Sequence, residues 1–135
     1  MAILKIEHLG IAVKDATKSK SVFEKLMGKS AYKEEGVASE GVNTHFFELG
    51  ESKLELLEAT NPDSAIAKYL EKNREGIHHV AVAVDDIYAE IIRLKGEGFV
   101  FINETPKEGA DNKLIAFIHP KSANGILLEL CQEKP

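Results

Sequence analysis

Apolar residues recur along the chain in two rhythms, and the places where one gives way to the other mark the elements. From Ile6 to Val13 the run Ile6-Glu7-His8-Leu9-Gly10-Ile11-Ala12-Val13 is rich in aliphatic and β-branched residues, the signature of a strand with a buried face. Asp15 follows as a helix N-cap. Beyond it Val22, Phe23 and Leu26 fall at helical spacing, and Gly28 ends the pattern. The same order of events returns 71 residues later, without a gap. Ile77-His78-His79-Val80-Ala81-Val82-Ala83-Val84 predicts a second strand, Asp86 a second N-cap, and Ile87, Ile91 and Leu94 a second helix that stops before Gly96 and Gly98. A hairpin is predicted after each helix. One joins Thr44–Leu49 to Lys53–Leu57 through a turn at Gly50-Glu51, and the other joins Lys113–His119 to Ile126–Leu130 through the Pro120–Gly125 region. Asn61-Pro62-Asp63-Ser64 opens a connecting helix with Ile66, Tyr69 and Leu70 facing the core, ending near Gly76.

Strand, helix, then strands, given twice, predicts an α+β fold built from a duplicated module. The expected organisation is one domain: module one about residues 3–60, a helical connector about 61–75, and module two about 76–133. A module of this size cannot easily bury both faces of its sheet alone, so pairing the copies completes the core. The duplication also has a chemical consequence. Each copy offers a histidine at the start of its first strand, His8 and His79, and a glutamate in its last strand, Glu55 and Glu129. Two copies related by an approximate two-fold axis bring these four side chains to one point, as a two-histidine, two-carboxylate shell for a divalent metal. Imidazole nitrogen with carboxylate oxygen suits Co, Ni, Mn, Fe or Zn, and the absence of thiolate ligands points away from a closed structural zinc.

The other chemically able residues carry less. His78 has Glu7 as its counterpart and is expected to face away from His79, since adjacent strand residues point to opposite faces. His45 and His119 have no symmetric partner, so hydrogen bonding or a place at a pocket edge is expected of them. Cys131 is expected to be a small packing residue. The glycines form neither a dinucleotide fingerprint nor a phosphate loop.

Composition narrows the partner. At 135 residues, with 44% apolar and 29% charged residues, the chain has the balance of a soluble globule able to bury roughly two-thirds of its unfolded surface without disulfides. Its single cysteine fits a reducing compartment. No apolar run approaches the roughly 20 residues of a membrane span, and no signal-like segment follows Met1, so a cytoplasmic location is expected. A net charge of −5 argues against nucleic acid and for a small molecule.

These residues resemble the vicinal oxygen chelate superfamily, which also holds glyoxalases, bleomycin resistance proteins and dioxygenases. Within it the chain resembles the methylmalonyl-CoA epimerase family, nearly end to end. The likeness rests on Glu7-His8-Leu9-Gly10-Ile11-Ala12-Val13, on Lys53-Leu54-Glu55-Leu56-Leu57-Glu58, and on the stretch from Asp63 to Leu70. Most discriminating are Gly76-Ile77-His78-His79-Val80-Ala81 and the stretch from His119 to Leu130. The resemblance implies paired βαβββ modules in a cupped mixed sheet around one metal ion held by His8, Glu55, His79 and Glu129. It implies a proton transfer that interconverts the C2 epimers of methylmalonyl-CoA, a step of propionate metabolism, with Glu129 as both ligand and catalytic acid/base group, and a homodimer. Lys121 and Ser122, with Lys113, are candidates for binding the phosphates of coenzyme A. Two departures stand out: Thr44 occupies a position where some members carry a glutamate, with Glu48 of the same strand parity, and Glu55 one where a number carry glutamine. The alternative is a glyoxalase I-like isomerase, which favours a set of glutathione-binding arginines; this chain has only Arg74 and Arg93.

Overall fold

The structure is a computed structural model that describes residues 2–135. In chain order the elements are β1 (Ile3–Val13), α1 (Ala16–Met27), β2 (Lys33–Val37), β3 (Val42–Leu49), β4 (Ser52–Ala59), α2 (Ala65–Lys72), β5 (Gly76–Val84) and α3 (Ile87–Gly96). Then come β6 (Lys107–Gly109), β7 (Lys113–Ile118), a 3-10 turn at Pro120–Ser122, and β8 (Leu128–Glu133). The strands follow the hydrogen-bonded order β2-β3-β4-β1-β5-β8-β7-β6. β5 runs parallel to β8, while β2-β3-β4 and β6-β7-β8 are antiparallel ladders, so the sheet is mixed. No helix among the described residues is long and apolar enough to cross a membrane.

Two compact units make up the chain, Leu9–His78 and Met1–His8 with His79–Pro135. In the first, Asp15 caps α1 by accepting from the Lys18 amide, as the sequence predicts. The helix packs its Ala16, Phe23 and Met27 stripe on Val13, Phe47, Leu56 and Leu54. Val22 and Leu26, expected inside, are 60% and 74% exposed. They lie one position before Phe23 and Met27, a rotation of roughly 100° that carries them off the stripe. On the other side Ile66, Tyr69 and Leu70 of α2 cover Ala12, Val42 and Leu57, with Ser64 as N-cap. Gly41 admits this arrangement: its φ is 64°, and a Cβ there would lie 2.8 Å from both Asn61 Nδ2 and Ser64 Cβ. The helix ends at Lys72 rather than near Gly76, because Asn73 turns to extended backbone.

In the second unit Asp86 caps α3 by accepting from the Ala89 amide. Ile87, Ile91 and Leu94 pack on Val84, Phe101, Ala116, Ile118 and Leu130, each such side chain contributing about 1.5–3 kcal/mol on burial. Two short strands escape apolar patterning. Lys-Glu-Glu-Gly-Val in β2 and Lys-Glu-Gly in β6 form the ends of the strand order, where charge is favoured because it deters pairing with another edge.

Candidate metal centre

The second unit places three ligand-type side chains by register alone. In the parallel pair β5/β8, Ala81 sits opposite Glu129, and in the antiparallel pair β7/β8, Phe117 sits opposite Glu129. Paired residues share a face and every second residue along a strand returns to it, so His79, Ala81, Glu129, Cys131 and Phe117 point the same way. Leu130 points the other way, into the α3 core. Ala81 is the permissive residue, since its methyl group leaves room for the carboxylate beside it. Ala81, Ile115 and Cys131, with Phe117 against them, form an apolar floor. The Phe117 ring stands edge-on to His79 with centroids 5.7 Å apart.

His8, from β1, completes the group. His8 Nε2 lies 3.0 Å from His79 Nε2 and 3.3 Å from Glu129 Oε1, and His79 Nε2 lies 2.9 Å from the same oxygen. All three residues are buried. The two imidazoles meet edge to face, 5.1 Å between centroids. His8 Nδ1 is 2.6 Å from Glu7 Oε1 and so donates to it, which leaves the His8 Nε2 lone pair turned toward His79 and Glu129. Burial raises the Glu129 carboxyl, but the hydrogen bond from His79 and the positive charge the neighbouring rings can carry outweigh it and hold the group well below the ordinary carboxylate range. Its second oxygen accepts from the Cys131 thiol at 3.3 Å.

The short separations that let these groups hydrogen-bond would also let them share a cation. Three ligands each about 2.1 Å from an ion, at right angles to one another, stand about 3.0 Å apart, whereas tetrahedral angles open that separation to about 3.4 Å. The triangle of 2.9, 3.0 and 3.3 Å lies within the separations that ligands sharing one ion would show. His8, His79 and Glu129 are thus a candidate ligand group whose imidazole and carboxylate donors would suit a divalent ion.

The remaining expected residues are placed as follows. Glu55 is buried in the Leu9–His78 unit, opposite Phe46 on β3 and on the same face as Thr44. The Thr44 hydroxyl is buried and has no hydrogen-bond partner among the described residues, and Glu48 is exposed. Lys121 is exposed, while Ser122 donates to the His119 carbonyl and accepts from the Val100 amide, stapling its loop. Lys113 is buried with its amine 3.5 Å from Glu133. His78 turns away from His79, stacking edge-on against Tyr69 of α2. His119 accepts from the Lys121 amide and caps the 3-10 turn. His45 lies 3.8 Å from Glu34. Sequence reasoning missed Glu7, which alternation sends to the opposite face from His8; the available signal was a carboxylate directly beside a candidate ligand histidine.

Residues 7–117 match the model of the Glyoxalase/Bleomycin resistance protein/Dioxygenase superfamily, and the chain belongs to that superfamily. Within it the similarity runs to the epimerases. The chain is 38% identical over 130 residues, 95% of its length and 97% of the relative's, to the ethylmalonyl-CoA/methylmalonyl-CoA epimerase of Cereibacter sphaeroides. It is 36% identical over 130 residues to an uncharacterised Bacillus subtilis protein, YqjC, covering 96% and 93% of the two chains. Among solved structures, a Streptomyces coelicolor methylmalonyl-CoA epimerase in complex with 2-nitronate-propionyl-CoA superposes with a TM-score of 0.94 at 31% identity, covering 98% and 96% of the two chains.

Proposed function

We propose that this protein is a metal-dependent epimerase that interconverts the C2 epimers of methylmalonyl-CoA through an enolate. The observation that carries the reading is the convergence of His8 Nε2, His79 Nε2 and Glu129 Oε1 in a chain alike over nearly its whole length to epimerases of malonyl-type thioesters. His8, His79 and Glu129 would hold one divalent ion, with Glu55 as the fourth ligand the duplication supplies. Co, Ni, Mn, Zn and Fe all suit the donor set. The ion, when bound, supplies positive charge where the thioester oxygen gains negative charge on loss of the C2 proton.

The protein residues have separate tasks. Glu129, ionised at neutral pH, would accept the C2 proton on one face, and inversion then needs a proton delivered to the other face. Its depressed pKa makes it a weak base, so the acidity of C2 must be raised to match it. The apolar floor of Ala81, Ile115, Cys131 and Phe117 excludes water and keeps the local dielectric low, which strengthens each charge interaction. Thr44, whose buried hydroxyl has no hydrogen-bond partner among the described residues, is the candidate for holding a water on the second face of C2. Lys121 supplies an exposed cation for the phosphates of coenzyme A, with Ser122 holding that loop in shape. The glyoxalase I alternative loses support because Arg93 is spent on a buried partner, its Nη2 lying 2.9 Å from Glu90 Oε1. The family resemblance carries with it a cytoplasmic homodimer.

The test is to convert one epimer of methylmalonyl-CoA to the other with metal-loaded protein, and to repeat the assay after chelation. Conversion that depends on the ion is expected. Turnover of a glutathione hemithioacetal, with no epimerisation, would replace this reading by the glyoxalase one.

A further inference from the structure

Glu7 is the acid that the proposed chemistry leaves unused, and it is buried at 5% exposure. A buried carboxylate is costly unless its charge is met by strong hydrogen bonds. Its oxygen lies 2.6 Å from His8 Nδ1, at the short end for a charge-assisted hydrogen bond. The contact is made against the habit of a strand, in which neighbouring side chains diverge. In β1 the alternation of buried and exposed positions breaks at Glu7 and His8, both of which are buried.

Glu7, His8 and Cys131 also form a cluster with ligand-type atoms within 4.8 Å of one another, but it is a poor second ion site. The separation of 2.6 Å between Glu7 and His8 is shorter than the about 3.0 Å expected of two ligands sharing one ion, and fits a hydrogen bond instead. Metal-bound histidines commonly donate their other ring N–H to a carboxylate, which fixes the tautomer and makes the ligating nitrogen more basic.

We infer that Glu7 is a positioning residue: it holds His8 in the Nδ1–H tautomer, so that Nε2 presents a lone pair beside His79 Nε2 and Glu129 Oε1. This rests on the metal reading of those three atoms and is independent of the substrate. Without the Glu7 acceptor, His8 is free to place its proton on Nε2, where it blocks coordination.

The test uses the full chain. Nitrogen-15 histidine spectra of the metal-free protein report which ring nitrogen of His8 bears the proton, and competition with a chelator gives the Co²⁺ affinity of wild type, Glu7→Gln and Glu7→Leu. A proton on Nδ1 is expected. Glu7→Leu is expected to bind Co²⁺ about 10–100-fold more weakly, and Glu7→Gln, which keeps an acceptor but no charge, to lose less. Circular dichroism checks the fold; if Glu7→Leu fails to fold, Glu7→Gln and the wild-type spectrum decide. A wild-type proton on Nε2, or variant affinities within about two-fold of wild type, overturns the inference and leaves the metal reading standing. A wild type that binds no Co²⁺ overturns both.

Discussion

Replacing Glu129 with glutamine keeps shape and volume while removing the charge on which the proposed site depends. In the metal-free protein the carboxylate faces His79 at 2.9 Å and His8 at 3.3 Å through one oxygen and the Cys131 thiol at 3.3 Å through the other. Hydrogen bonds to an ionised group contribute about 1.5–3 kcal/mol each. The bond from His79, with a weaker one from the Cys131 thiol, is worth about 2–4 kcal/mol, from which the burial cost of the charge must be subtracted, leaving a net loss of about 1–3 kcal/mol in the variant. The sign with pH follows from the depressed pKa. Stability owed to the charged form is present above the ordinary carboxylate value of 4.5 and is lost as pH falls below it. Glu129→Gln should therefore melt below the metal-free wild type at pH 7, and the gap should close as the solution is acidified. Exchange of the C2 proton should fall by about 10²–10⁴. A melting difference that does not narrow as pH falls from 4.5 to about 2.5, or exchange within about tenfold of wild type, would refute the reasoning.

Three further outcomes follow from other parts of the fold. Arg93→Ala strands the Glu90 carboxylate, 0% exposed and bridged by the arginine within α3; because the Arg93 side chain is 43% exposed, the expected loss is about 1–3 kcal/mol rather than the full cost of a buried unpaired charge. Chemical denaturation measures it, and the double variant Glu90→Leu/Arg93→Leu should recover most of the loss. Thr44→Val removes a buried hydroxyl without a partner among the described residues and should raise the melting temperature, by a gain of about 1 kcal/mol; a lower melting temperature contradicts this. Gly41→Ala puts a methyl group 2.8 Å from Ser64 Cβ at a φ of 64° and should cost about 1–3 kcal/mol, read by thermal melting.

Much of this was legible in the sequence because the duplication repeats its punctuation. Asp15 and Asp86 cap their helices as expected, and Ile87, Ile91 and Leu94 face inward. His8, His79 and Glu129 meet although the last lies far along the chain, since one register, Ala81 opposite Glu129, carries the information that spacing alone does not. Val22 and Leu26 misled because apolarity at helical spacing names a stripe without saying which stripe the neighbouring strands cover. β2 and β6 were silent because edge strands tolerate charge and show no alternation. Glu7 was hidden by the rule that made His78 legible: alternation holds at His78, which packs on Tyr69, and breaks at Glu7, where a hydrogen bond to His8 outweighs it.

The most direct measurement is deuterium entry at C2 of methylmalonyl-CoA, followed as metal-stripped protein is titrated with Co²⁺. Exchange should rise in proportion to ion bound and level off at one ion per chain, with His79→Ala flat throughout. Full exchange in the stripped protein, or a His79→Ala variant that still exchanges at the wild-type rate, would contradict the account.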